Sequence, residues 1–301
     1  MSKTHDLIVI GTGVTGLSAA RQALESGLST LTLESMLYGG LVTNINELDG
    51  EIQGSGIDLA ASLMMKVRKL GGEHLPASAT SLAADADCIV VHSDAGAHRA
   101  SAVIIASGAK LRRLGVPGES EFEDKGVSHC ADCDGPYYKD HDVVVVGGGD
   151  SALQEALVLS EYAQRVHLVH RGETFSARKH LADRIPGHAN ISVHWRTSVE
   201  AVLGGDCVQA VRVRGLDGGA TDEIACAGFF AYVGLEPACG FVPDAVLRDR
   251  DGSLLTDAGL RTAMPGVFAA GAVRSGYGGL LADAVAEGIA AAKSAAALIR
   301  P

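Results

Sequence analysis

Aromatic residues are scarce in this chain, 4% of 301 with a single tryptophan, so its cores must be filled by Val, Leu, Ile and Ala. Positive charge is in deficit as well: 25 basic residues stand against 36 acidic ones, a formal charge of −11. A nucleic-acid partner requires a positive surface, so that class of function is disfavoured. No apolar run reaches the roughly 20 residues of a bilayer span, and the Ala-rich stretch 284–298 is broken by Glu287 and Lys293. No membrane segment is expected. The first six residues carry neither a charged-then-apolar leader nor a cleavage site, which points to a cytoplasmic protein. The 38 glycines follow no period, which excludes a fibre and leaves tight turns and close backbone approaches as their use.

Cysteine is sparse too. Cys88, Cys207, Cys226 and Cys239 stand singly, and only Cys130 and Cys133 are neighbours. Zinc would want a second Cys or His pair at ligand spacing, so no metal site is expected. In a reducing compartment an exposed Cys-x-x-Cys is normally catalytic rather than a structural staple. The pair lies between two glycine-rich turns, which suggests electrons passing between cofactors and sulfur.

The first turn belongs to a strand–turn–helix–strand unit over 6–34. There Gly11 permits a sharp turn, Gly13 lets a pyrophosphate approach the backbone beside Thr12, and Gly16 lets the helix pack on the strand. Glu34 closes the second strand at the distance expected for an acid that holds a ribose hydroxyl. Residues 38–44, Gly40 among them, read as a flexible polar segment able to lie along a cofactor. A helix is predicted over 56–70, with Leu59, Leu63, Val67 and Leu70 on one stripe and Met64 and Met65 as core. Strands follow at 88–92, with Cys88 as a small core residue, and at 102–105, ending in a tight turn at Ser107 and Gly108.

Glycine and proline at 114–119 mark a boundary. The second unit, 142–170, opens with Gly147, Gly149, Asp150 and Ser151 at the start of a helix predicted over 151–162. Arg171, with Arg178 and Lys179 beyond it, stands where a basic residue can take the 2′-phosphate of NADPH. Short strands at 193–195, 207–214 and 222–225 and an apolar run at 227–233 complete this region. A short strand ending in Gly271-Ala272 and a helix over 280–299 close the chain.

In this order the glycine turn, the Ala106-Ser107-Gly108 turn, Cys130-Ala131-Asp132-Cys133-Asp134-Gly135, the Gly147–Ala152 turn and Gly266-Val267-Phe268-Ala269-Ala270-Gly271 resemble the low-molecular-weight thioredoxin reductases over essentially the whole chain. The resemblance implies an α/β fold of two Rossmann-like nucleotide-binding domains of the three-layer ββα type, one inserted into the other. An FAD domain would span 1–113 and 245–301, and a nicotinamide domain, 114–244, would carry the dithiol and swivel within a homodimer. Residue by residue, Cys133 would be the thiol beside the flavin, Cys130 the interchange thiol and Asp134 the proton-handling acid. The implied cofactors are FAD with NADPH or NADH, and the partner is a disulfide or dithiol substrate, either a thioredoxin-like protein or a small molecule.

The chain departs from the family at three places. Ala272 stands where an aspartate usually accepts a hydrogen bond from the flavin's ribityl chain, Gly278-Gly279 replace an Arg-Gln pair, and Gly172 and Ser176 replace two of three phosphate-clamp arginines. The leading activity is dithiol–disulfide exchange driven by a reduced nicotinamide. Its rivals are a dithiol oxidase using oxygen, a ferredoxin-fed reductase, and a flavin redox sensor without turnover.

Overall fold

The computed structural model describes residues 4–45, 48, 54–85, 87–219 and 221–300. Residues 1–3, part of the stretch read above as lacking a leader, lie outside them. The chain divides into two units, Met1–Lys110 with Glu236–Pro301, and Leu111–Leu235. The return to the first unit thus comes at 236, ahead of the 245 expected, because Cys239, Val242, Val246 and Leu254 pack into its core. The first crossing comes at 110 rather than 113, since Leu111 packs against the core of the second unit.

The first unit is built on a sheet with strand order Glu73–Leu75, Thr30–Leu33, Thr4–Ile10, Gly96–Ile105, Cys88–Ser93, Ala79–Asp85; Val267–Ala269 also pairs with Gly96–Ile105. Alternation along the central strand sends Leu7 and Val9 to one face and Ile8 and Ile10 to the other, and both faces are buried. Helices Val14–Glu25, Gly56–Lys69 and Leu281–Ile299 cover the Leu7 face. Register places the site: Ile10 pairs with both Leu33 and Ile105, and Ile105 pairs with Ala269. Four parallel strands therefore end level, and the residues after them emerge along one edge. Ligands of open α/β sheets bind at such carboxyl ends.

Several local expectations change here. Within the segment read as flexible and polar, Gly40–Asn44 forms a 3-10 turn with Val42 buried. Met64 is core, but Met65 lies on the outer side of its helix and is 57% exposed. Cys88 is half-exposed, its thiol donating to the Asp85 carbonyl, so it is not a core residue.

The second unit repeats the plan. Its parallel sheet runs Ile191–His194, Arg165–Val169, Asp142–Val146, Gly228–Ala231, Val127–Ser128, and a three-stranded antiparallel sheet joins Thr197–Gly204, Val208–Gly215 and Thr221–Ala225. Val143 and Val145 face the core under helix Asp150–Leu159, and Val144 and Val146 face the core shared with the antiparallel strands. Val146 pairs with Val169 and Ala231, and Phe230 with Ser128. Gly147, His170, Tyr232 and Cys130 accordingly leave the sheet along one edge.

Candidate active site

At the edge of the first unit, backbone bonds extend the sheet past the strand ends: Gly11 N–H to Leu33 O (2.8 Å), Ala106 N–H to Ile10 O (2.8 Å) and Ala270 N–H to Ile105 O (3.0 Å). Gly11 has φ +99°, and a Cβ there would lie 2.4 Å from Ala106 O; a Cβ on Gly16 would lie 2.0 Å from Gly11 O. Both glycines are required by the chain itself. Gly13 differs, for a Cβ there would meet nothing nearer than Gly39 O at 3.6 Å, which leaves its outer face open to a ligand. Gly39 N–H donates to Thr12 O (2.8 Å), which lays Gly40 alongside Gly13. Glu34 accepts from the Thr12 N–H (3.2 Å) and the Met36 N–H (3.1 Å), so its carboxylate is fixed at the mouth of the turn.

This cradle fits a dinucleotide. Helix Val14–Glu25 opens without a side-chain cap, leaving first-turn N–H groups for a phosphate. The buried hydroxyls Thr12 Oγ1 and Ser107 Oγ have no partner among the described residues. Gly108 turns at φ +69° and accepts from Ala238 N–H. Gly271 packs on Thr15, where a Cβ would be 2.4 Å from Thr15 Oγ1. Ala272 is half-buried beside it. Glu287, from the last helix, accepts from the Gly271 N–H (2.8 Å) and from Arg274 Nε (2.8 Å) and so fastens this turn.

In the second unit a cavity of about 550 Å³ is lined by the Gly147–Gly149 backbone, His170, Arg171, Ser176 and Tyr232. That volume suits a small-molecule cofactor. The His170 ring lies against Gly148, where a Cβ would fall 2.2 Å from it, and helix Asp150–Leu159 again opens without a side-chain cap. Arg112 and Arg113 stand on the cavity wall with Arg171, two cations that spacing along the chain did not reveal. Arg178 and Lys179 are engaged elsewhere: Arg178 binds Asp150 through its N–H (2.7 Å) and Nε (2.5 Å), and Lys179 binds Asp183. The Arg178 N–H, followed by its guanidinium, holds the Asp150 carboxyl below its usual range. Ser151 is exposed at the same helix start.

The dithiol follows the edge strand Val127–Ser128. Cys130 and Cys133 are joined as a disulfide with Cα atoms 5.3 Å apart. Cys130 caps the short turn Ala131–Asp134, its Sγ accepting from the Cys133 N–H (3.2 Å). Ser128 ties the motif together, donating to Asp134 Oδ2 (2.6 Å) and accepting from the Cys130 N–H (3.2 Å). His129 is bound to Glu123 (2.7 Å), which also binds Arg113 (2.9 Å). Below the turn, Glu155 Oε2 accepts from the Ala131 N–H (3.0 Å) and the Tyr232 hydroxyl (3.2 Å). Among the described residues no His, Cys, Asp and Glu cluster is arranged to hold a metal, and no helix is long and apolar enough to cross a membrane.

Glu155 and Glu287 were missed from sequence. Each is a lone acid on an otherwise apolar helical stripe, Glu155 three residues from Ala152 and four from Leu159, Glu287 three from Ala284 and four from Ala291. That pattern was the available sign.

Residues 5–290 match the family model described as pyridine nucleotide-disulphide oxidoreductase. The thioredoxin reductase of Treponema pallidum is 38% identical over 303 residues, covering 99% of this chain and 98% of that protein. Among solved structures, thioredoxin reductase of Lactococcus lactis superposes with TM-score 0.93 at 33% identity, covering 98% of this chain and 99% of that one. That of T. acidophilum gives 0.91 at 30% identity, over 98% and 99%. The chain belongs to the pyridine nucleotide-disulphide oxidoreductase family and is, within it, a thioredoxin-reductase-like FAD-dependent oxidoreductase acting on a sulfur group.

Proposed function

We propose that the chain reduces a substrate disulfide at the Cys130–Cys133 pair with electrons drawn from a reduced nicotinamide nucleotide. The observation that carries this reading is the shared edge: a glycine turn fit to cradle a phosphate and a Cys-x-x-Cys leave the same edge of one sheet, with the strand Gly228–Ala231 between them. The first unit's cradle, Gly11 to Gly16 with Glu34, Gly40, Ser107, Gly108, Gly271 and Ala272, is where FAD would bind. FAD supplies, when bound, the two-electron relay between nucleotide and sulfur.

The chain's own residues account for the sulfur chemistry. The Cys133 N–H already points at Cys130 Sγ, and a turn's N–H groups stabilise a thiolate. Once the pair is reduced, the Cys130 thiolate attacks the substrate disulfide, forming a mixed disulfide and expelling one substrate thiolate. Cys133 then attacks Cys130 Sγ, re-forming the internal disulfide and releasing the second. Asp134, which accepts from Ser128 in this turn, takes the role of the proton-handling acid in this proposal. The substrate disulfide belongs to a thioredoxin-like protein or small thiol, and the working form is a cytoplasmic homodimer.

The nucleotide cavity favours neither cofactor form strongly. Gly172 and Ser176 offer no charge to a 2′-phosphate, Arg178 is held by Asp150 and Arg113 by Glu123, and Arg171 and Arg112 remain. Stopped-flow reduction of the yellow protein under anaerobic conditions tests this. Flavin bleaching by both NADPH and NADH, with less than about tenfold discrimination, is expected from the loss of charge-assisted contacts worth about 1.5–3 kcal/mol each. A large NADPH advantage would restore an ordinary NADPH-driven reductase. Bleaching by a dithiol but by neither nucleotide, followed by reoxidation in air, would put the dithiol oxidase first.

A further inference from the structure

Glu155 is not needed by any step above, yet it lies directly beneath the dithiol. It is half-buried on helix Asp150–Leu159, whose start forms the nucleotide turn. One carboxylate oxygen takes the N–H of Ala131, the residue after Cys130, and the hydroxyl of Tyr232. Tyr232 is 7% exposed and also lines the nucleotide cavity. The titratable groups that act on Glu155 are Asp132 from the dithiol turn and Tyr232 from the end of its strand; no Lys or Arg is among them. Burial, followed by the charge of Asp132, pushes its carboxyl above the usual range.

We infer that Glu155 is a positioning residue for the dithiol, its carboxylate holding the Cys130–Ala131 backbone in place and its charge setting the equilibrium between disulfide and dithiol. The inference rests on the pair being redox-active, as proposed above. Reduction breaks the S–S bond and takes up two electrons and two protons, giving two thiols; where Cys130 ionises, one proton returns to solvent. A negative carboxylate beneath that thiolate opposes the step, and a neutral one does not. Because the opposition acts between charges, it must fade as pH falls through the Glu155 pKa.

The test is equilibration of the flavin-loaded protein with dithiothreitol redox buffers between about pH 6 and 9, with alkylation and mass counting of Cys130 and Cys133. Dithiothreitol supplies the electrons and closes to its own disulfide. Glu155→Gln keeps an acceptor for Ala131 and Tyr232 but removes the charge. At alkaline pH it should favour the reduced pair by about three- to tenfold, the weight of one neighbouring like charge. Tenfold corresponds to about 30 mV. The wild-type and Glu155→Gln profiles should converge as pH falls. Tyr232→Phe removes one donor to the carboxylate, which raises its pKa further, so convergence should occur at a higher pH. A Glu155→Gln profile identical to wild type, with the pair cycling normally, overturns the inference and leaves Glu155 a structural acceptor. A wild-type pair that does not exchange with the buffer overturns the redox reading and this inference together.

Discussion

Two residues answer their surroundings in opposite ways, one leaving a contact unmade and one making it. Ala272 lies in the Gly271–Val273 turn, which Glu287 and Arg274 fasten, at a place where the family usually carries a ribityl-binding aspartate. Ala272→Asp should tighten FAD binding by about ten- to a hundredfold, the worth of one hydrogen bond to a charged group. Titration of the apoprotein with FAD checks it; an unchanged constant would show that the flavin contacts another group. Asp150 is the other. Its folded carboxyl is depressed by Arg178, so the stability it lends is fully present above the unfolded value near 3.9 and is lost as pH falls through the lower, folded value. The loop carrying Arg178 should therefore loosen only in acid, below about pH 4. Trp195, packed on Phe175 of that loop with ring centroids 4.5 Å apart, is the chain's single tryptophan and reports it by fluorescence. Asp150→Asn should show the loosened signal already at neutral pH.

Among the elements, the first glycine turn separates two demands that sequence alone runs together. Gly11→Ala meets the Ala106 carbonyl and a positive φ, costing on the order of 1–3 kcal/mol in folding stability. Gly13→Ala meets nothing closer than 3.6 Å and should leave the apoprotein's melting temperature nearly unchanged while weakening FAD binding. Melting and FAD titration of both variants distinguish a glycine needed by the chain from one needed by the ligand. The turns, their helices and the Cys-x-x-Cys were legible because each is a local pattern of a few residues. The strands Ala79–Asp85 and Thr197–Gly204 were not, since the first buries a single residue and the second is broken by a register shift between Val199 and Ala201, so neither shows a regular alternation. Glu155 and Glu287 were hidden because each acts from a helix on a backbone N–H 24 or 16 residues away that packing, not spacing, brings near.

At the scale of the molecule, the second unit is one continuous segment, whereas the first is assembled from two. The crossing points lie together, with Ala109–Leu111 paired to Leu235–Pro237 and Lys110 bound to Glu236 (2.8 Å). A chain in which residues 111–235 are replaced by a short Gly-Ser linker should fold, bind FAD and stay yellow, without disulfide exchange. A colourless product would show that the first unit depends on the second for its cradle.

The two-part construction of the first unit also sets an order of events during synthesis. Strand Gly96–Ile105 awaits Val267–Ala269, and helix Val14–Glu25 awaits Leu281–Ile299, which packs against it on the core's Leu7 face. At ribosomal rates of about 5–20 residues per second, the stretch from residue 110 to 299 takes about 10 to 40 s. For that interval the nascent cradle has an open sheet flank and an uncovered apolar helix, while the middle unit can close on its own. Chaperone capture should accordingly target the early segment, and flavin uptake must be among the last steps of the molecule's maturation rather than a seed for it.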